Sequence, residues 1–105
     1  MGCQHNTRLN VSERTLPVSP APAMLIATIP GVACEGQMLF QQGTDSVADI
    51  YIGLGGKIPN LQDYDIHLDD LVVAIGLDNI IPGDIRAITK TAGGILSVFV
   101  SFQAK

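Results

Sequence analysis

The sequence predicts an all-β domain, a single β-sandwich or jelly-roll-like fold of about seven or eight short antiparallel strands preceded by an extended N-terminal arm. Short apolar runs recur from residue 24 onward, separated by turn signals such as Pro30-Gly31 and Pro82-Gly83. Apolar and polar side chains alternate within these runs, and no window of about eleven residues shows helical periodicity. With no Trp and an apolar content of 47%, the core must be built largely from Ile, Leu, Val and Ala.

Residues 1–23 are predicted to be the arm, and residues 24–105 the β-sandwich domain. Pro17, Pro20 and Pro22 interrupt backbone hydrogen bonding, and most other residues of this segment are polar. Four spaced apolar residues would let the arm dock on a neighbouring subunit as an extended ribbon, with a disordered tail as the alternative. They are Leu9, Val11, Leu16 and Val18.

The predicted strands follow in order along the rest of the chain. They cover residues 24–29, 37–41, 48–54, an acidic stretch at 63–70, 71–77, 84–89 and 95–103. Turns are predicted at residues 43–46, 55–60 and 78–79. Residues 71–77 are apolar on both faces, which favours a central strand covered on both sides.

The last strand has the clearest pattern and follows the turn signal Gly93-Gly94. Its core face is predicted to consist of Leu96, Val98, Val100 and Phe102. The other face mixes polar and apolar residues, and there Ile95 and Phe99 are candidates for a subunit interface.

Charge and composition argue against several partners. The net charge is −4 and the six basic residues are scattered, so no patch neutralises several phosphates and direct nucleic-acid binding is not expected. No apolar run approaches the roughly 20 residues that span a bilayer, so no membrane association is expected. The first residues lack the apolar segment of a secretory signal, and secretion is not expected.

Two segments resemble chemical motifs without the context that the chemistry needs. Residues 53–57 resemble a phosphate-binding loop, but Pro59 follows and no helix begins, which favours a glycine-rich turn. The acidic stretch offers oxygen donors for calcium, but it lacks the calcium-loop pattern, and surface carboxylates are the better interpretation. Its carboxylates are Asp63, Asp65, Asp69 and Asp70.

No catalytic residues, metal or cofactor are predicted. His5 and His67 are the only histidines, and a serine or cysteine nucleophile needs a histidine base nearby. His67 is interpreted as a surface histidine, since a single histidine is a weak zinc signal. Cys3 and Cys34 are the only cysteines, and a disulfide is not expected because Cys3 lies in the arm.

Four segments in the second half of the chain form a characteristic sequence of predicted strands and turns. Its pieces are Asp49-Ile50-Tyr51-Ile52-Gly53, Ile81-Pro82-Gly83-Asp84, Ile85-Arg86-Ala87-Ile88 and Leu96-Ser97-Val98-Phe99-Val100. This pattern resembles small tailed-bacteriophage virion proteins of the head decoration (cement) and head-fibre type. The resemblance covers about half of the chain and consists of strands and turns, so no functional residue is carried over.

The resemblance implies a non-enzymatic capsid decoration protein that is made in the host cytoplasm and located in the virion. Such a protein binds the outer face of an icosahedral shell, often as a homotrimer, and stabilises the shell. Its partners would be other copies of itself and the major capsid protein or another virion protein. Many copies of a modest interface hold strongly through multivalency.

Two other functions remain open at this point. One is a carbohydrate- or ligand-binding β-sandwich module, for example a phage tail or fibre component, although the chain is poor in the aromatic rings on which sugars stack. The other is a metal-dependent small-barrel enzyme, which would hold its metal near His67 and the aspartates.

Overall fold

The computed structural model describes residues 5–31, 33–43, 48–69, 72–77 and 81–104. It confirms the predicted all-β fold. The eight strands are β1 (His5–Thr15), β2 (Met24–Ile29), β3 (Ala33–Gln42), β4 (Ile50–Gly53), β5 (Ile66–Leu68), β6 (Val72–Leu77), β7 (Gly83–Thr89) and β8 (Ile95–Ala104).

The strands form two four-stranded sheets with interleaved connectivity. One sheet has the order β1-β8-β3-β6 and the other the order β2-β7-β4-β5. All the paired strands within the sheets are antiparallel. The chain passes from one sheet to the other after most strands, which is the arrangement of a jelly roll.

The core lies between the sheets and is built from the inward faces of the strands. In β8 the predicted core face is confirmed, because the side chains of Leu96, Val98, Val100 and Phe102 are all at most 2% exposed. Period-two alternation along the strand puts these residues on one side and Phe99 on the other. The largest fully buried side chains are Phe40, Phe102, Ile29, Met38, Ile50, Ile52, Leu68, Ile85, Leu96, Val98, Val100 and Thr89.

The prediction that residues 1–23 form an arm outside the core is wrong, because residues 5–16 belong to the sandwich. β1 pairs with β8 from His5 opposite Ala104 to Thr15 opposite Ile95. Leu16 is only 4% exposed and belongs to the core cluster, against which Leu9 and Val11 also pack. The polar composition of β1 reflects its position at the edge of the sheet with one face in solvent.

Residues 17–23, here called the proline strap, follow β1 and run beside the end of β7. The backbone N–H of Thr89 donates to the carbonyl of Pro17 over 3.0 Å, and the N–H of Ser19 donates back to the carbonyl of Thr89 over 2.9 Å. Val18 forms an isolated parallel bridge with Thr89. The prolines therefore end the strand without detaching the segment from the domain.

Two further predictions about strands need correction. β6 lies at an edge of its sheet and not at the centre. Apolar residues on both faces of a strand indicate that both faces are covered. They do not indicate whether the strand lies at the centre or at the edge of its sheet. In the described part of the predicted acidic strand, residues 63–69, only Ile66–Leu68 is a strand, and residues 60–65 before it form a loop.

The remaining predictions concern the turns and the cysteines, and some of these residues lie outside the described part of the chain. The glycine-rich turn is confirmed, with φ values of 63° at Gly55 and 88° at Gly56 that favour glycine. The turn residues 44–46 and 78–79, together with Asp70 and Leu71, lie outside the described part of the chain. Cys34 is disulfide-bonded, contrary to expectation, and Cys3 lies outside the described residues.

Candidate functional site

The first candidate site is the outer face of the β1-β8-β3-β6 sheet around Phe99. Phe99 lies opposite Asn10 on one neighbouring strand and opposite Leu39 on the other. Its side chain is 38% exposed, whereas its neighbours Val98 and Val100 are buried. A shallow cavity of about 260 Å³ lies over these strands. We call this surface the Phe99 face; its outward residues are Asn10, Ser12, Leu39, Gln41, Ser97 and Phe99.

The Phe99 face carries no charged side chain among those outward residues. Its apolar centre is Phe99 with the half-buried Leu39, and hydroxyl and carboxamide groups surround them. The Ser97 hydroxyl accepts a hydrogen bond of 2.9 Å from the backbone N–H of Glu13, a residue in the bulge of β1. An apolar centre surrounded by polar groups is the composition of an interface, and the exposed Arg8, opposite Ser101 on the same side of the sheet, adds one charge beside these residues.

The six residues predicted to form an interface lie in three different places in the structure. Leu9, Val11 and Leu16 all pack on the core of their own chain, Leu16 fully and the other two in part, and contact of these residues with a neighbouring subunit stays a prediction. Val18 lies in the proline strap with 36% of its surface exposed. Ile95 is half-buried and Phe99 exposed, both on the outward side of β8, and their role at an interface stays a prediction.

A second candidate site lies on the other sheet, where three rings form a cluster. Tyr51 of β4 is opposite His67 of β5. Their rings stack with centroids 4.6 Å apart and planes 6° apart. Tyr64, from the loop before β5, approaches Tyr51 at 4.9 Å and His67 at 5.8 Å, with its plane at 65° to both. We call Tyr51, Tyr64 and His67 the aromatic cluster.

Carboxylates surround the aromatic cluster. Asp49 Oδ1 lies 3.0 Å from His67 Nε2, within hydrogen-bond distance. Burial raises the pKa of Tyr51, and the nearby Asp49, Tyr64 and Asp69 raise that pKa further. The hydroxyl of Tyr51 therefore keeps its proton at neutral pH and lies in a negative potential.

Two further carboxylates near the cluster, Asp63 and Asp65, form ion pairs with Lys57. Lys57 Nζ lies 2.9 Å from Asp63 and 3.7 Å from Asp65. The hydrogen bond to Asp63 is the main cause of the raised pKa of Lys57. Asp65 also accepts a 2.7 Å hydrogen bond from the backbone N–H of Leu54, which ties the glycine-rich turn to the end of the loop.

The sequence predicts a surface histidine at His67 and does not reveal the partners of its ring. The structure shows its side chain about one-third exposed, stacked on Tyr51 and bonded to Asp49. The only signal in the sequence was that Tyr51 and His67 both occupy outward positions of predicted strands. Their meeting depends on the pairing of β4 with β5, which the pattern of a single strand does not specify.

The described residues do not group three potential metal ligands of the His, Cys, Asp or Glu type. Asp63 and Asp65 turn toward Lys57, which competes for their oxygen atoms. Over the same described part, the structure has no helix long and apolar enough to cross a membrane.

A third feature is a cleft of about 380 Å³ between the proline strap and residues 58–62. Ile58 at its edge is 67% exposed. Seven of its ten lining residues are apolar, and the other three contribute two side-chain carboxamides and one hydroxyl. The residues that line it are Ser19, Pro20, Ala21, Pro22, Ala23, Ile58, Pro59, Asn60, Gln62 and Ile88.

The fold and these surfaces define a small jelly-roll domain with two different outer faces. No protein-family model and no curated protein sequence matches the chain. The function must therefore be inferred from the surfaces themselves, because a jelly roll alone does not specify one.

Proposed function

We propose that the protein is a non-enzymatic structural component of a virion, a capsid decoration or cement protein. It binds the outer capsid surface as a homo-oligomer, for which a trimer is expected, and its partner is the major capsid protein or another virion protein. The observation that supports this proposal best is the Phe99 face, where an exposed aromatic ring lies among uncharged polar residues on the outer surface of a sheet.

The Phe99 face suits contact between copies of the chain. A β-sheet surface is broad and presents side chains at regular spacing, so that a rigid partner can pack on it without rearrangement. Aromatic residues near the centre of such surfaces commonly contribute the largest share of binding energy, while the polar rim excludes water. Phe99 and Leu39 would form the centre of this contact, and Ile95 would extend it along β8.

The edge strand β6 also supports self-association. In the described part of the chain β6 pairs only with β3, so one row of its backbone groups has no strand beside it. Its sequence, VVAIGL, is apolar throughout. Edge strands of this composition are usually protected by charge, proline or a covering element, and a neighbouring subunit provides such cover.

The fold is compatible with the proposed role. Jelly rolls occur in viral capsid proteins as well as in lectins and cupins. The segments that carry the resemblance to virion proteins become β4, β7 and β8 with the turn before β7. The acidic net charge of −4 would let the protein coat a particle without competing for nucleic acid.

The proposal is tested with Phe99→Asp. A buried carboxylate at the centre of the contact would weaken self-association by about thirty-fold or more, which corresponds to losing a residue worth about 2 kcal/mol. Sedimentation equilibrium of the purified full chain measures this effect, and co-sedimentation with the parent particle measures shell binding.

Ile58→Asp is the matched control, because it places the same charge at an even more exposed apolar residue outside the Phe99 face. It should leave the oligomer intact. Circular dichroism of both variants checks that they remain folded. If Phe99→Asp kept the oligomeric state and the particle affinity of the parent protein, the proposal would fail.

A carbohydrate-binding module is the second candidate function, and the cleft beside the proline strap favours it. The carboxamide of Gln62 and the hydroxyl of Ser19 provide donors and acceptors of the kind that sugar hydroxyls need, beside apolar walls. A glycan array should then give hits that Gln62→Ala weakens. An array without hits would remove this candidate.

A further inference from the structure

We propose that the aromatic cluster, with Asp49 and Asp69 beside it, is a binding site for a cationic side chain of a partner protein, an arginine in particular. This inference rests on the proposed function only for the source of the arginine, which would be the capsid surface. The chemistry of the site depends only on its own residues.

The three rings offer more than one aromatic plane to a cation. Tyr51 and His67 are nearly parallel, and the Tyr64 ring is set at 65° to them. Tyr51 is only 8% exposed, so the accessible aromatic surface belongs to Tyr64, which is 38% exposed, and to His67. A guanidinium group is planar and stacks on such rings, with cation–π attraction of about 0.5–2 kcal/mol.

The carboxylates beside the rings provide the charge. The side chain of Asp49 is 42% exposed and hydrogen-bonds to His67 through one oxygen. Within the described residues, no lysine or arginine forms an ion pair with Asp49 or Asp69. Burial is the main cause of the raised pKa of Tyr51, and Asp49 and Asp69 both raise that pKa further, as negative charges near the ring do.

An arginine fits this combination better than a lysine does. Its guanidinium can lie against a ring and still donate two parallel hydrogen bonds to a carboxylate, whereas an ammonium is a compact, strongly hydrated charge. A single arginine would bind weakly, because exposed ion pairs contribute less than about 1 kcal/mol. Many copies on one particle would multiply this weak contact.

The site and the Phe99 face lie on different sheets of the sandwich. The Phe99 face is the outer surface of the sheet that contains β8, and the aromatic cluster lies on β4 and β5 of the other sheet. A copy that contacts other copies through one sheet therefore keeps the other sheet available for the capsid.

The test titrates the full-length protein with N-acetyl-arginine methylamide and follows the imidazole resonances of His67 by NMR. We expect a saturable shift with a Kd of about 1–20 mM, the range for one weak cationic contact. The isosteric probe N-acetyl-citrulline methylamide, which is uncharged, should bind at least about fivefold more weakly.

Variants separate this site from general charge attraction. Asp49→Asn and Tyr64→Ala should each weaken arginine binding by about fivefold or more. Glu35→Gln removes the same charge from the exposed part of β3, on the other sheet, and should leave the Kd unchanged. The tyrosine variant also shows whether the rings contribute beyond the carboxylates.

Equal binding of the citrulline probe, or an unchanged Kd in Asp49→Asn, would overturn the inference. Shifts of the His67 resonances by methyl glycosides and not by the arginine probe would overturn it in favour of a sugar site. The Phe99→Asp result is independent of all these outcomes, since the arginine probe needs neither the oligomer nor the particle. Failure of this inference is therefore distinguishable from failure of the proposed function.

Discussion

Replacing Gly36 with alanine is expected to destabilise the domain by about 3 kcal/mol or more, the upper end of the cost of overpacking. Gly36 lies in β3 opposite Phe102 of β8, next to a bulge in the pairing of these strands. A Cβ atom at this position would overlap the carbonyl oxygen of Ser101 and lie 2.7 Å from Cα of Phe102. Backbone atoms cannot rotate away, so the two strands would have to separate.

Thermal and urea unfolding of Gly36→Ala measure this cost. For a domain of about this size each kcal/mol lowers the melting temperature by about 4–8 °C, so we expect a drop of roughly 12 °C or more. Gly31→Ala is the matched control, because no heavy atom lies within 4 Å of the added Cβ there. Equal melting temperatures for the two variants would show that β3 and β8 are less closely packed than the structure has them.

Replacing Phe40 with alanine is expected to lower the free energy of unfolding by about 3–5 kcal/mol. Phe40 is fully buried in β3, opposite Val98 of β8 and Val73 of β6. Removing its ring takes away apolar burial and leaves a cavity that the surrounding strands fill only in part. Against a total stability of about 5–15 kcal/mol for a typical domain, this loss is severe.

Phe99→Ala is the control for Phe40→Ala, because it deletes the same atoms from the outer side of the same sheet. Its effect on monomer stability should stay within about 1 kcal/mol, since its ring is already partly in solvent. Urea unfolding at a concentration where the protein is monomeric compares the two. A similar loss in both variants would mean that the assignment of inner and outer faces along β3 and β8 is wrong.

Several features of the fold could be predicted from local patterns. In β8, alternating apolar residues specified which side faces the core, because successive side chains of a strand point in opposite directions. Gly55 and Gly56 marked a turn, because their positive φ values suit glycine. Both signals lie within a few neighbouring residues, so the sequence alone is enough to interpret them.

The errors arose where the answer depended on distant parts of the chain. Residues 5–16 looked like an arm because β1 is polar on one side, but pairing with β8 at the other end of the chain places Leu16 in the core. β6 looked central because it is apolar, but it lies at a sheet edge. Pairing partners are chosen by the whole set of strands, and hydrophobic pattern alone does not reveal the choice.

The candidate sites show the same division. Phe99 was recognisable as an outward apolar residue, since the period of one strand places it there. The aromatic cluster was not recognisable, because it needs the register of β4 with β5 and a loop that brings Tyr64 over both. Local sequence patterns were enough to predict an all-β sandwich, its glycine-rich turn and the inner face of its last strand. The strand order, the place of residues 5–23 and the contact of Tyr51, Tyr64 and His67 became visible only in the folded domain, because contacts between distant residues depend on the packing of all the strands together.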